Sequence, residues 1–381
     1  MENYIVIDNK TYKAQSLWRD TKKDKKLDDD DKRFPYPKES KPWIMSNDFI
    51  KRLQKLEVLI EEKKPENEIF YDSPKDCLLC DKKNITTKQV ILGKYLWEDG
   101  LKHYVKIHNI KPSEKFIDFI FNADPSEHFV VPLVGRVLQR DALAYLKLEK
   151  NQIMILDALM KHGGYSKKYH DPKRKNFARY SEHAGFFEIK NKIIYDIIVA
   201  GNTLRVDKGD EEIFLPNNMP DAMHYPYLFH THPATPYPGG RANQGIIFEF
   251  PSIGDILHFI DHYNMGKTIG SLVMTPEGLY NIRKHVHDGK EIKINEDALY
   301  DEIRKEISYA NRKSIQDFGI KFDTYTFYTK IAQDTSYLEI INKKLIKYQM
   351  FIDYFPRQKD FKGSWIVDTV YLPLYSRSEL N

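Results

Sequence analysis

The chain has 381 residues, 59 basic against 55 acidic, for a formal net charge of +4. That length suits two or three domains, and so small a charge excess announces no polyanionic partner. No apolar run reaches the roughly 18 residues of a membrane span, the opening residues lack the order of a secretory signal, and two cysteines alone exclude a disulfide framework.

These features predict an intracellular protein, cytoplasmic or nuclear, with no membrane partner. Residues 18–42 mix charge with proline and hold almost no aliphatic side chains, which predicts an exposed stretch within an amino-terminal segment of residues 1–70. Inside that segment Phe49, Leu53, Leu56 and Ile60 recur at helical spacing over 47–62, and Pro65 follows the helix.

A compact unit is predicted over residues 71–125. Cys77-Leu-Leu-Cys80 precedes a strand-like run at 89–92 and a helical stretch at 97–110 that carries His103 and His108. The spacing C-x2-C-x22-H-x4-H resembles a C2H2 zinc finger with a longer middle, so the hairpin inside it must be extended. The plain alternative is a helix with two surface histidines beside a buried C-x-x-C. Both cysteines of the chain fall where histidines complete a ligand set, which favours structural zinc on Cys77, Cys80, His103 and His108. Lys102, Lys106 and Lys111 flank the helix, but Glu98, Asp99 and Glu114 dilute them, so a nucleic-acid partner is not expected.

Farther on, Leu143, Leu146, Ile153, Leu156, Leu159 and Met160 predict helical segments across 137–162, stopped by Gly163 and Gly164. The period then changes. Short β-branched or aromatic runs at 182–189, 193–200 and 227–232, with turn-formers at 208–210 and 216–218, read as strands of one sheet. A helix over 252–263, capped by Ser252, and strands at 268–275 and 278–284 complete an α+β pattern. Helical faces through Leu299 to Ala310 and Leu338 to Tyr348, with strand-like pieces at 320–328 and 365–372, predict a mainly helical extension over 295–381. That part either packs on the central sheet or folds alone.

The run Tyr227-Leu-Phe-His230-Thr-His232-Pro233 puts two histidines at i, i+2 near a strand end, on one face. Alone, such a pair is more often packing than ligation. Beyond it, Ser252-Ile-Gly-Asp255 sets a hydroxyl and a carboxylate one helical turn apart, and three protein ligands with one open position are what a catalytic zinc requires. An amidohydrolase barrel also begins with H-x-H on a strand, but the 126 residues after Asp255 are too few for its β/α repeats.

Together these residues resemble the JAMM/MPN metalloprotease family: a glutamate in an early strand, here Glu182 in Ser-Glu-His-Ala-Gly185, then His230-Thr-His-Pro233, then Ser252-Ile-Gly-Asp255. The resemblance covers residues 137–290 and implies a cytidine deaminase-like α/β/α domain. It also implies zinc on His230, His232 and Asp255, Glu182 as general base toward a zinc-bound water, and oxyanion stabilisation by Ser252. Glu188, in the same expected strand, is the alternative base. The 22 residues between His232 and Asp255 exceed the family's spacing, and their Pro/Gly-rich part, 235–245, is expected as a loop beside the metal. The implied activity is that of a peptidase or isopeptidase, deubiquitinase-like, on an amide joining ubiquitin or a ubiquitin-like modifier to lysine. The alternative is a non-catalytic, virion-associated scaffold, motivated by the long loop after His232 and the aromatic-rich C-terminal part; the pairing of finger and JAMM domain also resembles uncharacterised proteins of large DNA viruses.

Overall fold

The computed structural model describes residues 3–20, 34–123, 144–162, 164–170, 178–190, 193–199, 224–233, 248–285 and 290–374. The chain divides into two compact units, Met1–Leu138 and Gln139–Asn381.

The first unit is built on a five-stranded sheet. Strand β1 (Asn3–Ile7) folds back as β2 (Lys10–Gln15) through Asp8 and Asn9, both at positive φ, the two-residue turn whose twist matches paired strands. Helix α1 (Ser46–Lys63) follows, then β3 (Glu68–Lys75), β4 (Thr86–Leu92) and β5 (Tyr95–Glu98), in the order β1-β2-β5-β4-β3. Helices α2 (Leu101–His108) and α3 (Glu114–Asn122) pack on α1. The expected stripe Phe49, Leu53, Leu56 and Ile60 is fully buried. The rings of Phe116 and Phe121 lie against Phe49. Arg52, also buried, donates from Nη2 to the Ala123 carbonyl at 2.6 Å, covering a helix end that has no partner within α3.

The second unit contains an eight-stranded sheet in the order β14-β13-β12-β11-β9-β10-β6-β17. Its strands are β6 (Ala144–Leu148), β9 (Ala184–Lys190), β10 (Ile193–Val199), β11 (Tyr227–Thr231), β12 (Gly270–Met274), β13 (Gly278–Lys284), β14 (Met350–Pro356) and β17 (Val370–Leu374). Two small ladders stand apart, β7 (Gly164–His170) with β8 (Ala178–Ser181) and β15 (Gln358–Lys359) with β16 (Trp365–Ile366). Every residue of β11, β12 and β13 is buried, which requires cover on both faces. Val273, Tyr280, Ile282 and Ile352 join one core with helices α5 (Ile253–Met265), α6 (Glu296–Phe318) and α7 (Ser336–Leu345). Helix α4 (Lys150–His162) packs on β11 and β12 through residues outside that core. Among the described residues no helix is long and apolar enough to cross a membrane.

The α+β class is as expected, but several elements are not. Residues 1–70 and 71–125 are not separate regions, since β2 pairs in parallel with β5. Of the two courses open to the 295–381 stretch, it takes packing on the central sheet, because β14 extends the sheet beside β13 and β17 pairs with β6. Leu146 lies in a strand, where the alternation Ala-Tyr-Leu-Lys-Leu sets its period, and 137–143 lie outside the described residues. Trp97 belongs to β5, so the second helix starts later than its apolar run implied. The piece 320–328 is helical from Thr324, because the Asp323 carboxylate accepts from the Thr326 amide at 2.6 Å and caps the turn against the β preference of its residues. Of the stretch 18–42, residues 18–20 and 34–42 are described, and Pro37 is buried there.

Candidate metal centres

Strand β11 runs antiparallel to β9 and parallel to β12, with Ala184 opposite His230 and Val273 beside it. His230 therefore shares the sheet face that Val273 turns toward α5. His232 stands just past the strand, its amide still donating to the Met274 carbonyl at 2.9 Å. Gly185 permits this crowding: a Cβ there would meet the Ile198 carbonyl oxygen at 2.0 Å and the Phe229 ring at 2.6 Å.

Helix α5 begins with a reciprocal cap. Ser252 Oγ accepts from the Asp255 amide at 3.2 Å, and Asp255 Oδ2 accepts from the Ser252 amide at 2.6 Å. The cap holds the Asp255 carboxylate toward the histidines. Its Oδ1 lies 3.2 Å from His230 Nε2, its Oδ2 3.3 Å from His232 Nε2, and the two Nε2 atoms are 3.3 Å apart. Bonds of about 2.0–2.2 Å to a tetrahedral cation put neighbouring nitrogen and oxygen ligands roughly 3.3 Å from one another. These three residues could hold a metal ion.

The site's electrostatics favour positive charge at its centre. His232 Nδ1 donates to the Glu249 carbonyl at 2.9 Å, which leaves Nε2 as the atom facing inward. Burial opposes charge on this imidazole, but the Asp255 carboxylate outweighs it, Glu182 adds to the effect, and His232 is pushed up to about 10. Burial also opposes charge on Asp255, and the two histidines outweigh it, holding its carboxyl well below the usual carboxylate range.

Glu182 is buried and lies between β8 and β9, not within a strand as the sequence suggested. Continuing the β9–β11 register two residues past Ala184 and His230 sets position 182 opposite His232. Main-chain pairing persists through that step, with the Thr231 amide donating to the His183 carbonyl at 2.9 Å. Glu188, the alternative base, instead ion-pairs with Lys190 at 3.0 Å toward the other end of β9. Ser252 is exposed, and its oxygen is engaged by the helix cap. The expected loop 235–245 lies outside the described residues.

His258 went unremarked in the sequence, although it stands one turn after Asp255 on α5. Its ring centroid lies 4.3 Å from that of His262. Burial first, then the neighbouring His262 and His230, push His258 down to about 4, so it is neutral at physiological pH. The Glu249 carbonyl was also illegible, since a main-chain acceptor leaves no residue-type signal.

A second donor set lies in the first unit. Strand β3 ends just ahead of Cys77, whose amide donates to the Lys82 carbonyl at 2.9 Å and closes a tight loop. Cys77 Sγ is 3.3 Å from His108 Nε2, and Cys80 Sγ is 3.4 Å from His103 Nε2. All four donors lie within 4.8 Å of one another. Tetrahedral bonds of about 2.3 Å to sulfur and 2.0 Å to nitrogen give roughly 3.5 Å between unlike ligands, so this knuckle also fits a metal ion. The Leu79 amide donates to Cys77 Sγ at 3.4 Å, and the Leu78 amide to Tyr104 Oη at 3.0 Å. The extended hairpin required by the long spacing is β4–β5, turned at Gly93 with φ of 56°.

The chain matches no family profile and no solved structure. It is 30% identical over 342 residues to "Uncharacterized protein R413" of Acanthamoeba polyphaga mimivirus, a match covering 87% of this chain and 94% of that one.

Proposed function

The chain belongs to the same family as that mimivirus protein, and we propose that it is a zinc-dependent hydrolase of amide bonds, with a JAMM/MPN-type catalytic domain and a structural zinc on the knuckle. The observation that carries this reading is the convergence of His230 Nε2, His232 Nε2 and the Asp255 carboxylate at 3.2–3.3 Å. The register that sets Glu182 across from His232 supports it further.

Zinc held by these residues would supply positive charge that polarises a carbonyl and eases deprotonation of water. The chain's own groups divide the remaining work. Glu182 accepts the proton of the water that attacks the amide carbon, then returns it to the leaving nitrogen as the C–N bond breaks. Glu249 fixes the His232 tautomer through its carbonyl. Ser252 Oγ accepts from the Asp255 amide, which leaves its own hydrogen free to donate toward the oxyanion that develops on the carbonyl oxygen. The substrate class, an isopeptide bond to ubiquitin or a ubiquitin-like modifier, rests on the family resemblance.

The test is metal content and cleavage of ubiquitin conjugates by the full chain and by Glu182→Gln. Zinc retained by both, with hydrolysis lost only in the variant, supports the assignment. Wild-type protein without tightly bound zinc, or a fully active variant, overturns it.

A scaffold role, virion-associated as the sequence alternative has it, is favoured by a separate observation. Ile193, Tyr195 and Val199 on β10 are 66%, 65% and 41% exposed, apolar side chains of one strand that a partner could cover. Inactivity toward conjugates, together with stable co-purification of capsid proteins that is lost in Ile193→Asp, would favour that reading.

A further inference from the structure

The knuckle has a participant that its spacing does not reveal. His108 Nε2 faces Cys77 Sγ, and its Nδ1 lies 2.7 Å from Glu39 Oε1, a residue of the segment expected to be merely exposed. A neutral imidazole carries one N–H and one bare nitrogen. Against a carboxylate, the nitrogen at 2.7 Å must be the donor, since two lone pairs would repel at that distance. Nε2 is then bare and turned toward the sulfur, the state a metal ligand requires.

The same segment holds the knuckle at two further points. The Ser40 amide donates to the His108 carbonyl at 3.3 Å, and Ser40 Oγ donates to the Asn109 carbonyl. These carbonyls sit at the end of α2, where no intrahelical partner exists. On the other side, Tyr36 Oη donates to the Leu78 carbonyl at 2.7 Å, inside the cysteine loop. Residues 36–40 thus touch both halves of the ligand set, the loop carrying Cys77 and Cys80 and the helix carrying His103 and His108.

We infer that Glu39 is a positioning residue of the knuckle: it holds His108 in the tautomer that offers Nε2 to a metal ion, so that metal binding and the docking of residues 36–40 are one event. This rests on the reading of the knuckle as a zinc site. Loss of such an outer partner typically weakens metal binding 10- to 100-fold, and because the Glu39 side chain is 65% exposed the lower end is expected.

Zinc competition against a chromogenic chelator tests it on the full chain, comparing wild type, Glu39→Ala, Glu39→Gln and a Cys77→Ser, Cys80→Ser double variant that marks the knuckle's share. Glu39→Ala should weaken the knuckle zinc about tenfold and leave the second zinc unchanged. Glu39→Gln, whose amide oxygen still accepts the Nδ1 proton, should recover most of the loss. Nitrogen-15 spectra should show His108 protonated at Nδ1 only, and chelation should speed hydrogen exchange at the Ser40 amide. Knuckle zinc bound equally tightly by Glu39→Ala, or a His108 ring protonated at both nitrogens in the loaded protein, overturns the role of Glu39 alone. Failure of the cysteine variant to lose any zinc overturns the zinc reading and this inference with it.

Discussion

Asp255 and Ser252 each accept the other's main-chain amide, at 2.6 and 3.2 Å, while the Asp255 carboxylate faces His230 and His232. One contact therefore both starts a helix and aims a carboxylate that could hold a metal ion. Ser252→Ala should cost about 1 kcal/mol of stability as a lost cap. It should also weaken zinc binding at this centre, and Ser252→Thr should restore both. Chemical denaturation beside metal titration measures the pair of effects, and a variant that loses stability but keeps full affinity would separate cap from ligand.

Each donor set should hold one ion. The full chain is expected to carry about two equivalents of zinc. His230→Ala with His232→Ala should remove one of them and leave the other, and Cys77→Ser with Cys80→Ser should do the reverse. Elemental analysis reads this directly. Only the histidine variant should abolish hydrolysis, whereas the cysteine variant should lower the stability of the first unit.

A buried carboxyl gives the second unit a pH dependence. Glu277 is fully enclosed, with Tyr280 Oη donating to it at 3.0 Å, and burial first, then nearby Glu249, push it from 4.5 up to about 7. The native state therefore binds this proton more tightly than the unfolded chain. Its contribution is complete below pH 4.5 and is lost as pH rises through about 7. Glu277→Gln should accordingly match wild type near pH 4 and exceed it near pH 8, by on the order of 3 kcal/mol. Urea melts at the two pH values test this, and equal differences at both would refute it.

Asp157 and Arg357 form a buried pair of opposite sign. The Arg357 guanidinium meets the Asp157 carboxylate and also donates to the Thr275 and Pro276 carbonyls, joining α4 to the β12–β13 turn. Burial opposes the Asp157 charge, but Arg357 outweighs it and lowers the carboxyl below its ordinary value. Its stabilisation is thus present above that ordinary value and is lost as pH falls. Asp157→Ala should cost about 3–5 kcal/mol at neutral pH, because it leaves a guanidinium buried without its counter-charge. The gap from wild type should narrow in acid, and thermal unfolding across pH would reveal a constant gap if the pair were idle.

What could be read in the sequence was local. His230 and His232, Ser252 and Asp255, and the paired cysteines announce themselves because two functional groups on one strand, turn or helix have fixed spacing. Glu39 could not be found that way, since it reaches His108 across 69 positions from a segment whose composition argued for solvent. Elements were misread where a short-range effect overrode the averaged pattern, as with the Asp323 cap at 324–326 and the alternation around Leu146. The sheet's outer strands were ambiguous for a different reason: which strand pairs with which depends on contacts such as that between residues 144 and 374, and periodicity carries no such information.

Among the described strands, β14 and β17 are the two outermost of the eight, and both come from residues 350–374. During synthesis, then, β6 and β13 leave the ribosome as bare edges, and both stay uncovered until that late stretch has followed them. A premature stop before residue 350 would leave two sticky borders on one molecule. Such fragments are expected to join one another into aggregates instead of persisting as smaller versions of the fold.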